Sequence, residues 1–413
     1  MKIKDLVFKS RTILDSRGNP TSEVDILYND HLFRSSCPAG ASVGSKECVV
    51  ITDKRTKYKG KSIDDVHHII RDVIIPHLKN SEVSLLDSQK IDDAMLEIDR
   101  SYNKQNVGVN SILPLSISFC KLSAFLNKLK VYNYISKIYE SKPSIPVPHF
   151  NILNGGVHSG NNFSIQEIMI VFDTGHIEKD IENASVFYQE LKRTITEQYG
   201  SQYTSVGDEG GFAPPIKDMD EVIRLLEKTG TACNIIEYKI ALDIAANSFY
   251  KENKYILNGK SLSSDELCTF YLDLLKKYPK IYSIEDPFSE DDIAGWEKFS
   301  KEAPSNLNIV GDDLTVTNPS LVKMAGEKEL CNVLLVKPNQ IGSVSETIEA
   351  VKLARSYGMK IMVSHRSGET EDNFISDFSV GIGADYIKSG APCRGERVSK
   401  YNQLLRISED FKQ

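Results

Sequence analysis

The chain has no Cys-x-x-Cys pair: its seven cysteines, at 37, 48, 120, 233, 268, 331 and 393, are scattered and odd in number. That spacing excludes a zinc ribbon and a disulfide framework and fits reduced thiols in a cytoplasmic protein. No uninterrupted apolar run approaches the roughly 18 residues that a membrane span needs. The opening Met1-Lys-Ile-Lys-Asp5 lacks the apolar core of a secretory leader. Basic residues are in deficit, with a formal net charge of -7, so nucleic acid is not expected as a partner. Internal repeats and low-complexity segments are also missing, which argues against solenoids and disordered arrays. What remains is an ordinary globular composition, 40% hydrophobic and 26% charged over 413 residues. That length accommodates a barrel of about 250 residues plus a second domain.

The first part reads as antiparallel strands followed by helices. Ile3 to Ile13 is strand-like, and Ser22 to Tyr28 and His31 to Cys37 flank a hairpin turn at Asn29-Asp30. Pro38-Ala-Gly-Ala-Ser-Val-Gly44 is a loop of small residues, suited to a flap whose backbone approaches a ligand closely. Helical spacing then appears three times: from Ile63 to Leu78 with Ser62 as cap, over Ile91, Met95 and Ile98, and from Ile112 to Leu129 with Pro114 in the first turn. These elements predict an N-terminal α+β domain over residues 1–135. Lys142-Pro-Ser-Ile-Pro-Val-Pro148, with three prolines, marks the boundary to a second domain over 143–413.

There the pattern alternates. Strands are predicted at Phe150–Leu153, Glu167–Val171, Lys239–Asp243, Ile281–Glu285, Asn308–Gly311, Val333–Val336, Lys360–Val363 and Tyr386–Lys388. Helices begin at the capping boxes Ser263-Ser-Asp-Glu266 and Ser343-Val-Ser-Glu346 and at Asn318-Pro319. Eight strands alternating with helices imply a largely parallel, closed (β/α)8-type barrel.

Polar residues close the buried strands. Asp243, Glu285, Asp312, Lys337, His365-Arg366 and Lys388 lie 42, 27, 25, 28 and 23 residues apart. A βα unit takes about 30 residues, so the last four intervals each fit one unit and the first a unit with an insertion. Each residue then faces one cavity at the C-terminal mouth. Three carboxylates without cysteine form a hard oxygen site suited to magnesium. Arg366 and Lys388 add positive charge for an anionic substrate. Lys337, whose neutral form burial and a nearby cation favour, suits a base removing a proton α to a carboxylate. A lysine base with a metal-stabilised intermediate is the established enolase-superfamily pattern, not a deduction from this chain alone.

Two further clusters belong here. Asn154-Gly-Gly-Val-His-Ser-Gly160 is glycine-rich but lacks nucleotide-loop spacing. With His158, and with Gln166-Glu167 close behind, it reads as a polar lid. Gly207-Asp-Glu-Gly-Gly211 sets two acids between glycines and offers Glu209 as an acid facing a leaving group.

The motifs together resemble the enolase family from end to end: Asp15-Ser-Arg-Gly-Asn-Pro-Thr, Asn154-Gly-Gly-x-His, Gly207-Asp-Glu-Gly-Gly, Ser283-Ile-Glu-Asp-Pro, Asp312-Asp-Leu-Thr-Val-Thr-Asn, Lys337-x-Asn-Gln-Ile-Gly-Ser, Ser364-His-Arg-Ser-Gly-Glu-Thr-Glu-Asp and Lys400-Tyr-Asn-Gln-Leu-Leu-Arg-Ile. The resemblance implies a hydro-lyase that interconverts 2-phosphoglycerate and phosphoenolpyruvate, and a barrel with an irregular start. It makes Lys337 the base and Glu209 the acid. It implies Asp243, Glu285 and Asp312 as ligands of one magnesium, and Ser42 as a ligand of a second recruited with substrate. His158, Gln166 and Glu167 line the leaving-group side, Arg366 and Ser367 take the phosphate, and Lys388 takes the carboxylate. His365 joins the catalytic set and Asp313 the substrate contacts. Family members are homodimers, some octamers, and the dimer pairs map to Glu23 with Arg406 and Arg11 with Glu409.

The flap departs from the family's Pro-Ser-Gly-Ala-Ser-Thr-Gly by losing hydroxyls at Ala39 and Val43. The rival reading, a catalytically weak paralogue that acts as a binding protein, rests on that departure alone. Replacing threonine by valine conserves volume but removes a donor. The expected outcome is a raised magnesium requirement for turnover, which Val43→Thr lowers when activity is titrated against the metal.

Overall fold

The computed structural model describes residues 2–41, 43–54, 56–156, 163–257 and 259–412. Three antiparallel strands come first, β1 (Val7–Leu14), β2 (Pro20–Tyr28) and β3 (His31–Ser36), in the order β1-β2-β3. The expected hairpin forms at Asn29, which takes φ +51° while Tyr28 pairs with His31. Asparagine tolerates that left-handed conformation. The first strand starts at Val7 rather than Ile3, because Ile3–Asp5 forms a 3-10 turn that buries Ile3 beneath the helices.

Helix α1 (Asp64–His68) and helix α2 (Ile75–Asn80) are joined by a π-helical stretch, Ile69–Ile74, with right-handed dihedrals at both junctions. Ser62 does not cap this rod. Its hydroxyl is buried without a partner, and the Asp53 carboxylate accepts the Asp64 N–H instead at 3.0 Å. The expected helix ending at Leu129 is α4 (Val109–Leu126), which follows α3 (Ser88–Leu96) and stops short of Leu129; a separate helix, α5 (Val131–Tyr139), begins beyond it. The break falls at Lys128, with φ +57°.

Helix α4 is the one described helix long and apolar enough to cross a membrane, with mean hydropathy 1.4 over 18 residues. The sequence reading missed it because serines and Lys121 interrupt the run. It is a core helix, 83% buried. Ile112, Leu115, Phe119 and Leu122 pack into the N-terminal core, and Leu113, Ile117, Cys120 and Ala124 pack into the barrel's. A helix clamped between two cores is apolar all round. Pro114 lies in its second turn, not its first. The proline has no N–H for the carbonyl of Asn110, and the buried Ser22 hydroxyl of β2 supplies the missing donor.

The second sheet is closed. Its strands are β4 (Val147–Asn154), β5 (Glu167–Val171), β6 (Lys239–Asp243), β10 (Ile281–Glu285), β11 (Asn308–Gly311), β12 (Val333–Val336), β13 (Lys360–Ser364) and β14 (Tyr386–Lys388), in barrel order β10-β11-β12-β13-β14-β4-β5-β6. All eight predicted strands are there. The sheet is parallel except at β5, which runs antiparallel to both neighbours. Between β5 and β6 stand two helices, α6 (Ile177–Tyr199) and α7 (Met219–Ala232). The long interval between Asp243 and Glu285 holds a small sheet, β7 (Tyr250–Lys251), β8 (Lys254–Leu257) and β9 (Lys260–Leu262), before α8 (Ser264–Lys277). Helices α9 (Ile293–Glu302), α10 (Pro319–Glu327), α11 (Pro338–Ile341), α12 (Val344–Ser356), α13 (Phe374–Gly381) and α14 (Gly395–Ser408) complete the outer layer. Ser263, Asn318 and Ser343 all cap as expected. The strands read as continuous apolar runs because one face packs inside the barrel, as with Val310, Val333, Leu335 and Met362, and the other meets the helices.

Polar bonds fasten the two parts together. Lys104 pairs with Glu346 at 2.7 Å, Lys121 with Asp372 at 3.0 Å, and the Asp92 carboxylate accepts the Ser345 N–H at 3.0 Å. All seven cysteines are free.

Removing the Ser22 hydroxyl leaves a buried carbonyl unbonded, so Ser22→Ala should lower unfolding free energy by about 1–3 kcal/mol, read from denaturant melts. A second test concerns His149 on β4, whose Nε2 lies 2.5 Å from the Tyr282 hydroxyl. Burial pushes its pKa down from 6.5 to about 3. The unfolded imidazole therefore binds a proton where the folded one does not, and stability is lost as pH falls from about 6.5 toward 3. The slope is at most about 1.4 kcal/mol per pH unit. His149→Gln should flatten the dependence of unfolding free energy on pH in that window.

Candidate active site

Parallel strands bring their carboxyl ends to one rim. Asp243, Glu285 and Lys388 are the last residues of β6, β10 and β14, while Asp312, Lys337 and His365 directly follow β11, β12 and β13. Asp243 stands in register with Glu285 on one side and Glu167 on the other. Glu167 is the first residue of β5, and the reversed strand delivers it to the same rim by its amino end. Gln166 and Glu167 are thus buried wall residues, not part of a lid. His158 and Ser42 lie outside the described residues.

Glu209 arrives on the turn after α6. Gly210 takes φ +87°, and a Cβ on Gly211 would meet Asn154 Oδ1 at 2.4 Å. The close approach is needed because Phe212 bonds back to β4 through Ile152 and Asn154. That clamp sets the Glu209 carboxylate against Asn151 Nδ2 at 3.0 Å, with His365 Nε2 at 3.4 Å.

The cavity is lined by Gln166, Glu167, Glu209, Asp243, Asp312, Lys337, Ser364, His365, Arg366, Ser367 and Lys388, and measures about 20 Å³. That is room for about one water, because two ammonium groups occupy the centre. Lys388 Nζ lies 2.8 Å from Glu285, 3.3 Å from Asp243 and 3.5 Å from Glu167. Lys337 Nζ lies 2.5 Å from Asp312, whose other oxygen accepts Gln340 at 2.8 Å. Ligand entry therefore requires these ammonium groups to exchange partners. A much larger groove, about 680 Å³, sits elsewhere, between β1–β3 and α14, with Glu23, Arg34 and Asp372 in its walls. It holds none of the strand-end residues.

Protonation follows from this charge balance. Burial pulls Lys337 toward neutrality, but the adjacent Asp312 carboxylate outweighs it and raises its pKa. Sequence reasoning expected a depressed lysine beside a bound metal; among these side chains alone Lys337 is held cationic. Asp312 shows the converse: burial raises it, yet Lys337 pulls its pKa below the ordinary carboxylate value. Glu167, raised first by burial and then by Glu209, and Glu285, raised first by burial and then by Asp243, lie well above the usual range. Five carboxylates face two ammonium groups here, so the donor set is all oxygen and short of positive charge. Those features fit a divalent hard cation at Asp243, Glu285 and Asp312. Asp312 also lies within 4.8 Å of Asp286 and Asp313. Asp286 is committed elsewhere, since its two oxygens accept the N–H groups of Asp312 and Asp313 at 2.9 Å. Asp313 is held by Asn247 at 2.8 Å and abuts Gly44 of the flap, beside the cavity rather than in its lining.

Arg366 is clasped by Glu47 at 2.9 and 3.1 Å and by Asn339 at 3.0 Å. The flap is seated on the neighbouring residues: Ala39 and Gly368 form a two-way backbone bridge, and Ser367 Oγ accepts the Ala41 N–H. Glu47, Asn151, Asp286, Gln340 and Arg397 are positioned around the site without having been singled out from the sequence. Asp286 carried a signal in the run Ser283-Ile-Glu-Asp-Pro, as did Gln340 and its neighbour Asn339 in the run after Lys337. Of the mapped dimer pairs, Arg11 bonds Glu23 within the chain, while Arg406 and Glu409 are exposed.

Two family models match the chain, "Enolase, N-terminal domain" over residues 6–135 and "Enolase, C-terminal TIM barrel domain" over residues 142–413. With a closed eight-stranded barrel carrying its acids and lysines on one rim, the chain belongs to the enolase family.

Proposed function

We propose that the protein is a hydro-lyase that interconverts 2-phospho-D-glycerate and phosphoenolpyruvate. The observation that carries this reading is that Lys337, after β12, and Glu209, on the turn after α6, line one cavity together with carboxylates of the barrel rim. Elimination of water needs a base for the proton on C2 and an acid for the hydroxyl on C3, held apart on one substrate.

Lys337 takes the C2 proton. Glu209 gives a proton to the C3 hydroxyl, the C3–O bond breaks and water leaves. Lys388 holds the substrate carboxylate, and Arg366 and Ser367 hold the phosphate, the guanidinium exchanging Glu47 for phosphate oxygens. Gln166 and Glu167 stand on the leaving-group side. Asp243, Glu285 and Asp312 would hold one magnesium and Ser42 a second, which would supply positive charge beside the substrate carboxylate and favour the neutral amine of Lys337. Asp312 bonded to a cation would hold the Lys337 proton less firmly, and Lys337 would then be free to act as the base.

We place the reaction in the cytoplasm, on the support of seven unpaired thiols. We also infer a homodimer whose contacts would pair Glu23 with Arg406 and Arg11 with Glu409 between two copies, Glu23 lying in the wall of the groove beside β1–β3.

Purified protein with magnesium and 2-phosphoglycerate should generate the ultraviolet absorbance of phosphoenolpyruvate. Lys337→Ala should reduce turnover by about 10²–10⁴-fold. Wild-type turnover no faster than that of the variant would sink the reading.

A further inference from the structure

Gln340 follows β12 and is buried, and its side-chain amide ends between two acids. One terminal atom of that amide lies 2.8 Å from Asp312 Oδ1 and 3.3 Å from Glu47 Oε1. Each acid faces a cation, Asp312 the Lys337 ammonium and Glu47 the Arg366 guanidinium, and so offers lone pairs rather than a hydrogen. The atom between them must therefore be the amide nitrogen, with both of its hydrogens spent there. The amide oxygen points the other way and accepts the Thr317 hydroxyl at 2.7 Å. Thr317 Oγ in turn accepts the Lys337 N–H at 2.9 Å. The one other acceptor near that hydroxyl, the Leu335 carbonyl, is more distant at 3.5 Å.

The backbone that delivers the hydroxyl is strained. Val316 and Thr317 are adjacent, buried and β-branched, yet take φ +40° and +54°. Branched side chains avoid the left-handed region, and a pair of them persists there only where the surroundings hold it. Here the Asp312 carbonyl accepts the N–H groups of Thr315 and Val316 at 3.0 and 2.8 Å. The turn is folded back on the same residue whose carboxylate Gln340 holds. Its strain works against stability, and what it achieves is the placement of one hydroxyl between Lys337 and Gln340.

We propose that Gln340 and Thr317 are positioning residues for Asp312 as a cation ligand: the amide pins Oδ1, and the hydroxyl fixes which end of the amide does so. The inference rests on the reading of Asp243, Glu285 and Asp312 as the donors for a divalent cation. Without the pin, the carboxylate is free to turn with the Lys337 ammonium on its other oxygen. Outer partners of this kind orient a ligand, and their loss costs about tenfold to a hundredfold in metal affinity. The second amide hydrogen reaches Glu47 and through it Arg366, so the cation side and the phosphate side of the cavity share one side chain. A purely structural role makes a different forecast. Loss of either group then lowers stability, leaves the cation affinity of the folded protein unchanged, and adds independently to loss of the other.

The test is the binding of manganese, used alone as the probe and followed by its electron spin resonance, to substrate-free protein. Asp243→Asn, which removes a ligand, identifies the site by weakening its signal. Gln340→Met, unbranched and apolar, and Thr317→Val should each weaken binding at that site about tenfold or more. Thr317→Ser, which keeps the hydroxyl, should stay near the wild type. The double variant should bind no more weakly than the weaker single one, because the hydroxyl acts through the amide. Unchanged affinity in either single variant overturns the proposal, as do losses that multiply in the double variant. Gln340→Met leaves the strained turn intact and decides alone if the threonine variants do not fold. Manganese binding that Asp243→Asn does not weaken removes the cation site and the proposal with it. If manganese binds as described but the wild type does not turn over 2-phosphoglycerate, the assigned reaction fails and the positioning role stands.

Discussion

Too few positive charges stand among the buried carboxylates at the mouth of the barrel, and the rest of the site is arranged around that imbalance. Lys388 is shared among Glu167, Asp243 and Glu285, and Lys337 is committed to Asp312. Neither lysine can serve another partner while it neutralises these acids. Burial makes the shortage expensive, since a charge withdrawn from water must find its complement nearby. The same shortage suits the site to an added hard cation. A single electrostatic fact thus accounts for the crowded centre, the raised carboxyl groups and the charged state of Lys337.

The fold serves this imbalance by geometry. Strands buried on both faces are apolar until their last residue, and there the backbone turns outward and polar side chains become possible. The reversed β5 solves a placement problem that a regular barrel would leave open, because it offers its first residue, not its last, to the rim. The N-terminal part completes the enclosure. Helix α4 is apolar on every side because it is gripped by two cores, and the segment carrying the flap ends in Glu47, which reaches Arg366.

The strand ends were legible because they recur at the length of a βα unit. Spacing and buried runs alone brought Asp243, Glu285, Asp312, Lys337, His365 and Lys388 into one place, and the capping residues Ser263, Asn318 and Ser343 were readable for the same local reason. What sequence could not show depends on contacts between distant segments. Glu47 meets Arg366 across 319 positions and Arg397 meets His365 across 32, with no periodicity to announce either. The direction of strand β5 was hidden because an apolar run reads the same both ways, so Glu167 looked like part of a lid. The charge of Lys337 among these side chains alone was not legible, because burial and the Asp312 carboxylate pull in opposite senses and the two meet only in the folded chain. Pro114 looked acceptable near a helix start. Its true neighbour, Ser22, is on another element.

The rim loops brace one another as well as themselves. Asp286, after β10, holds the backbone after β11; Gln340, after β12, holds Asp312; Arg397, from the last helix, holds residues that follow α6 and β13. A loop cut from this barrel and grafted onto another scaffold would arrive without the donors that shape it. Exchange of a single βα unit would therefore strip its neighbours of bonds that shape the rim.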